Sequence, residues 1–400
     1  MEGEPFRIAV PEAELADLQT RLGRTRWARL GAGPGWTAGT DPTYLRGLVD
    51  YWRSGFDWRG REAELNALPH RTFEVGGGRL HFIHVPGRAP GGLPLLLLHG
   101  WPDSFLRFEK TIGPLSETHD LVIPSLPGFA FSGDLRAPGV EPPNRFSAGL
   151  LWRLMTERLG YRQFTVAGGD GGSVVAQILA LEHPEAVRGV HLTDLGWHAF
   201  SIDRAAASRA ERKFLDGAQK RQMADGAYAL VQMAEPRTLA PALADSPVGL
   251  ASWIVDRFQA WSECGADLDR SFSKDDLLTN IMIYWATRTI GSSIANYHAE
   301  AQAPSLTAAD RVEVPVAMAL FPREPAGVPP RSLAERTLNI QRWTEMPRGG
   351  HFGPLEEPAL YADDVLAFLR MLQDEPGRPA PEAPRSLGAP ERTEGVSAHV

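Results

Sequence analysis

Apolar positions along the chain change their spacing at four places, and each change marks a boundary. From residue 1 to about 70 the spacing is helical. Pro11 opens a helix with Leu15, Leu18 and Leu22 on one face. After a loop from Gly31 to Gly39, Asp41-Pro42 starts a second helix carrying Leu45, Leu48, Tyr51 and Trp52. Trp27, Trp36, Trp52 and Trp58 are expected to pack this meander onto the main domain. From Arg71 the period falls to two. Phe73 and Val75, then Gly76 to Gly78, then Leu80, Phe82, Ile83 and Val85 predict an antiparallel hairpin. Pro94 to Leu98 and Leu121 to Pro124 are short continuous apolar runs, the pattern of strands buried on both faces, and Phe164 to Gly168 and Val187 to Leu192 read as further strands. They alternate with helical segments such as Ala148 to Leu159, which predicts a mostly parallel sheet wound with helices.

The alternation stops between 198 and 303, a helix-rich stretch that reads as a cap inserted over a site. It resumes with strands Val314 to Leu320 and Leu338 to Trp343 and a helix from Ala359 to Leu372. From 374 to 400 the chain is Pro, Glu, Arg, Gly and Ala without period, and a disordered tail is expected there. The divisions are therefore a meander (1–70), a core in two parts (71–197 and 304–373), a cap (198–303) and a tail (374–400).

Composition narrows the partners. A net charge of -8 argues against nucleic acid. Cys264 is the one cysteine, so no intrachain disulfide and no multi-cysteine zinc site is possible. The acidic Met1-Glu-Gly-Glu-Pro5 start carries no apolar leader, and the aliphatic run Leu95 to Leu98 is too short to span a bilayer. The expectation is a cytoplasmic protein without a membrane partner, with room left for a homodimer.

The chemistry centres on Phe164-Thr-Val-Ala-Gly-Gly-Asp170-Gly-Gly-Ser173-Val174-Val175. A strand breaks into glycines around one acid and resumes as a helix, the shape of a nucleophile elbow with a carboxylate in place of serine. Ionised at neutral pH, Asp170 could displace at a saturated carbon without a base to activate it. An Asp among glycines also suits a turn or a helix cap. A glycine loop could cradle phosphate, but no Lys-Ser or Lys-Thr follows, and the spacing misses the dinucleotide fingerprint. Hydrolysing an aspartyl ester needs a base, and His351 lies in Arg348-Gly-Gly-His351-Phe352, after the last strand. Glu324, past the preceding strand, would fix the imidazole tautomer. The order nucleophile, acid, histidine is that of an α/β-hydrolase fold. That fold draws its oxyanion donors from the N–H after the nucleophile, here Gly171, and from a loop after an earlier strand, here Trp101. His99 is read as structural.

With these motifs together, the chain resembles the microsomal-type epoxide hydrolase family over nearly its whole length. The resemblance rests on Arg24-Thr-Arg-Trp27, Trp36, Tyr51-Trp52, Phe56-Asp-Trp58, His99-Gly-Trp-Pro102, Gly168-Gly-Asp170, Asp245-Ser-Pro-Val-Gly-Leu250, Asp276-Leu-Leu-Thr-Asn280, Phe321-Pro-Arg-Glu324 and Arg348-Gly-Gly-His351-Phe352. It implies that Tyr228 and Tyr297 donate hydrogen bonds to the epoxide oxygen while Asp170 attacks a ring carbon. It further implies that His351, held by Glu324, activates a water against the Asp170 ester, with Trp101 and Gly171 N–H groups on the oxyanion. No cofactor or metal is implied, only an epoxide and water. Where the family usually has Trp after the nucleophile, this chain has Gly171, which changes a pocket wall. Two other readings stand beside it: another Asp-nucleophile reaction (dehalogenation or a biosynthetic epoxide opening), and a hydrolase fold retired to binding.

Overall fold

A computed structural model describes residues 3–29, 35–75, 78–89, 91–133, 135 and 142–374. The expected tail, apart from Asp374, lies outside the described residues, as do Gly31 to Pro34 of the first loop and Gly76-Gly77 of the hairpin turn. Among the described residues nine strands form one sheet: β1 (Glu4–Pro5), β2 (His70–Val75), β3 (Gly78–Val85), β4 (Leu95–Leu98), β5 (Leu121–Pro124), β6 (Phe164–Gly168), β7 (Val187–Leu192), β8 (Val312–Leu320) and β9 (Leu338–Glu345). Their order is β1-β2-β3-β5-β4-β6-β7-β8-β9. The pairings from β5 through β9 are parallel, and β3 joins β5 antiparallel. Chain order reverses between β5-β4 and β6, a topological switch point at whose carboxyl edge a ligand site is expected.

The apolar runs do what their composition dictates. Leu95 to Leu98 have no exposed surface, as a strand covered on both faces requires. Each such buried leucine contributes roughly 2 kcal/mol of transfer free energy. All segments between 209 and 302 that take regular structure are helical, including Pro247–Trp261, Lys274–Thr287 and Ile290–Gln302. Among the described residues no helix is long and apolar enough to cross a membrane.

The N-terminal meander departs from expectation in two ways. Glu4 and Pro5 extend the sheet by pairing with Thr72 and Arg71, a two-residue strand too short to leave a period in the sequence. Its helices Glu12–Gly23 and Pro42–Ser54 lean on the cap more than on the core. Arg21 bonds Asp245, the Trp36 indole donates to the Ala266 carbonyl at 3.2 Å, and the Tyr44 and Tyr51 hydroxyls reach Asp269 and Asp275 at 2.9 and 2.8 Å. Trp52 and Trp58 are buried, and Trp27 lies under the Arg46 guanidinium.

Candidate active site

β6 ends at Gly168, and the helix Gly171–Glu182 begins three residues later. Asp170 sits between them at φ 56°, ψ -129°, a backbone region that costs a non-glycine residue about 1–3 kcal/mol. Neighbouring contacts over-determine this turn. Its N–H donates to Asp194 Oδ2 at 2.6 Å, and the Ser173 hydroxyl donates to Asp194 Oδ1 at 2.6 Å. At Gly172 an added Cβ would collide with the Leu98 carbonyl, so only glycine lets the helix start this close to β4.

The strained turn aims the carboxylate at two backbone donors. Asp170 Oδ1 accepts from Trp101 N at 3.0 Å and from Gly171 N at 2.6 Å. Oδ2 faces His351 Nε2 at 3.4 Å, and His351 Nδ1 donates to Glu324 Oε2 at 2.9 Å. Glu324 lies just beyond β8, where Arg323 bridges to Gly350 and brings the acid alongside the histidine loop. The Asp170 side chain keeps 22% of its surface open while His351 keeps 5%, so the Asp170 side is the wetter one.

Electrostatics divide these groups. Burial alone would raise the Asp170 pKa, but the hydrogen bond and charge of His351 and the two N–H donors hold it below the usual carboxylate range. Burial alone would lower His351, but Glu324 and Asp170 together hold its proton well above the usual imidazole range. His351 thus stands in a row between Asp170 and Glu324, both of which favour its protonated form. Asp194, buried near the Glu324 charge, is pushed up to about 6.

The cap lowers aromatic side chains onto this row. The Trp101 ring stacks on Tyr228 at 5.5 Å and meets Tyr297 edge-on at 5.9 Å, so the residue whose N–H holds the carboxylate also seats both phenols. The tyrosine rings are 6.1 Å apart, and their hydroxyls interact. Burial first, then the Asp170 charge, raises Tyr228, while for Tyr297 burial acts first and the neighbouring Tyr228 next. Arg257 lies 4.9 Å over the Tyr228 ring, and Trp261 packs against both Tyr228 and His351 at 5.1 Å.

Asp170, His351, Glu324, Tyr228, Tyr297 and the N–H groups of Trp101 and Gly171 are thus gathered in one place. His99 is structural, with Nδ1 donating to the Gly100 carbonyl and Nε2 accepting from Leu126 N. Asn280 and Tyr284 clamp the Trp101 loop by donating to the Pro102 and Asp103 carbonyls at 2.8 Å. Sequence reasoning passed over Asp194 and Arg107. Asp194 stands two residues beyond the end of β7, a strand-end acid as Asp170 and Glu324 are. Arg107, fully buried in the apolar Phe105-Leu-Arg-Phe108 run, ion-pairs with Asp103 and donates to the His351 carbonyl at 2.6 Å. Among the described residues no group of three or more His, Cys, Asp or Glu side chains is arranged to hold a metal ion.

Comparison with known proteins agrees with this fold. Residues 3–108 match the family described as epoxide hydrolase N terminus, and residues 94–257 the family described as alpha/beta hydrolase fold. A protein of Stigmatella aurantiaca, named as an epoxide hydrolase, is 36% identical over 92% of this chain and 85% of its own. Epoxide hydrolase 1 of Oryctolagus cuniculus is 33% identical over 92% of this chain and 89% of its own. Among solved structures, the juvenile hormone epoxide hydrolase of the silkworm Bombyx mori superposes with a TM-score of 0.84 at 26% identity, covering 93% of this chain and 95% of that one. The Aspergillus niger epoxide hydrolase gives 0.81 at 27% identity, covering 93% and 97%.

Proposed function

The chain belongs to the microsomal-type epoxide hydrolases of the α/β-hydrolase superfamily, and from that premise we propose how its residues divide the opening of an epoxide to a vicinal diol. Asp170 Oδ2 attacks a ring carbon, the C–O bond breaks, and the ring oxygen takes a proton from the Tyr228–Tyr297 pair. Oδ1, already on the Trp101 and Gly171 N–H groups, becomes the carbonyl oxygen of the ester.

Alkylation itself arms the second step. The imidazole holds its proton because two carboxylates face it, and ester formation removes the charge of one. Its proton affinity then falls, its proton makes good the one that the Tyr228–Tyr297 pair gave to the ring oxygen, and neutral His351, oriented by Glu324, can take a proton from water. Hydroxide adds to the ester carbonyl carbon, negative charge gathers on Oδ1 between the two backbone donors, and the diol leaves with Oδ2. The protein's own oxygen therefore enters the first diol, and water's oxygen enters Asp170.

The observation that carries this reading is the two-sided hold on Asp170, with one oxygen on paired N–H donors and the other 3.4 Å from an imidazole backed by an acid. One turnover with excess enzyme in heavy-oxygen water tests it. Label is expected in the peptide containing Asp170 and not in the diol; label in the first diol would mean direct attack by water.

A further inference from the structure

The loop that carries His351 is tied at every backbone N–H from Gly349 to Phe352. Gly349 donates to Glu263 Oε2 at 2.5 Å, and His351 donates to the Trp261 carbonyl at 2.8 Å. Gly350 and Phe352, on either side of the histidine, both donate to Glu356 Oε1 at 3.1 Å. The other oxygen of that carboxylate, Oε2, accepts the Glu263 N–H at 2.9 Å. The two segments approach so closely that a Cβ on Gly350 would strike the Trp261 carbonyl and the Ser262 Cα.

Glu356 is therefore a bridge between the base loop and the end of the cap helix Pro247–Trp261. The same helix end bears Trp261, in ring contact with His351 and Tyr228, and Arg257 over Tyr228. We infer that Glu356 is a positioning residue for the hydrolytic half of the reaction, fixing His351 against the Asp170 ester and tying that base to the cap segment that seats Tyr228. This rests on His351 being the hydrolytic base. Two features set Glu356 apart from an ordinary loop acid. It serves three backbone donors from two segments, and burial pushes it up to about 7 even though those donors and His351 favour its charged form. The ionisable groups around it are His351 on its own loop and Glu263 and the Cys264 thiol from the cap-helix end, while Arg348 and Glu357 pair with each other nearby.

Glu356→Gln tests the bridge at constant volume. Whichever way the amide sits, its NH2 faces N–H donors on one side, so half of the bridge is lost. Single turnovers of styrene oxide, with protein mass reporting the ester and chromatography the diol, separate the two steps. Alkylation is expected to stay within about two-fold and ester hydrolysis to fall about ten-fold, so that ester becomes the main form during turnover. The pH midpoint of hydrolysis should move down, because the imidazolium loses a neighbouring negative charge. Hydrolysis at the wild-type rate, or equal slowing of both steps with an unmoved pH profile, would overturn the inference. Glu356→Asp keeps the charge but shortens the reach and should show a milder form of the same split; it decides the matter if the glutamine variant does not fold. His351→Gln, run alongside, separates the two layers. If it fails to accumulate ester, the base assignment is at fault; if it accumulates ester while Glu356→Gln does not, only the bridge is.

Discussion

The floor of the site, where the strands end, and its roof, where the cap helices cross, treat ionisable groups in opposite ways. On the floor Asp170 is kept charged against burial, because two backbone N–H groups and an imidazolium face it. On the roof Tyr228 and Tyr297 are kept protonated, because burial among aromatic rings and the field of Asp170 both penalise a phenolate. One surface holds an anion ready and the other holds protons ready, within a single small site. Burial alone does not decide a group's state; the donors and charges it meets there do.

The largest effect expected follows from removing the floor's charge. Asp170→Asn should abolish turnover and leave no covalent adduct. His351→Gln should keep alkylation but slow ester release by roughly 10³-fold, visible as a substrate-sized mass gain on the peptide containing Asp170. A gain on any other peptide would remove Asp170 from its assigned place. Next comes the roof. Tyr228→Phe and Tyr297→Phe should each slow alkylation by about 10²-fold, near 3 kcal/mol, without changing the rate at which a preformed ester is hydrolysed. Wild-type alkylation in the double variant would show that the roof does not supply the proton.

The two surfaces were also unequally legible in the sequence. The floor could be read locally, since Gly168-Gly-Asp170-Gly-Gly172 is a strand-to-helix turn whose glycines announce close packing, and His351 stands in a glycine loop after a strand. The roof could not. Tyr228 and Tyr297 lie 69 residues apart on helices where a tyrosine is ordinarily a packing residue, and they meet each other and the Trp101 ring only in the folded chain. The family resemblance singled them out; no local spacing did. Asp194 was missed for a different reason. Nothing near it in sequence marks a partner, and its role appears only when β7 is laid beside β6 and its carboxylate meets the Asp170 N–H.

Asp194 also contrasts with Asp170 on the floor itself, as the carboxylate that burial and the Glu324 charge raise to about 6. Its folded-state pKa lies above the unfolded value of about 3.9, so the native state binds the extra proton between those limits, and stability is lost as pH rises through them. Asp194→Asn, which can still accept from the Asp170 N–H, should therefore melt higher than wild type at pH 8, with the gain vanishing near pH 4. Alkylation should slow by a few-fold, since a neutral amide holds the strained elbow less firmly than a carboxylate. A gain in melting temperature that does not change with pH would show that Asp194 is not the residue whose ionisation opposes folding.

The smallest effect concerns the side chain that the floor lacks. Gly171 has an ordinary negative φ, and a Cβ built on it meets only the Gly100 Cα, at 3.9 Å. The fold therefore has room for a side chain directly beside Asp170, at the position where the family resemblance implies tryptophan. Gly171→Ala should stabilise the chain by about 0.4–1 kcal/mol through the unfolded state and change turnover less than about three-fold, because the N–H on Asp170 Oδ1 stays in place. Gly171→Trp sharpens the contrast by putting a roof-like aromatic on the floor. If the open floor accommodates the substituent of the epoxide, that variant should shift the kcat/KM ratio of small over bulky epoxides upward by about ten-fold, the usual reach of a hydrophobic wall. An unshifted ratio would mean that substituents point toward the roof, and that the tyrosine helices, not the glycine, set the size limit.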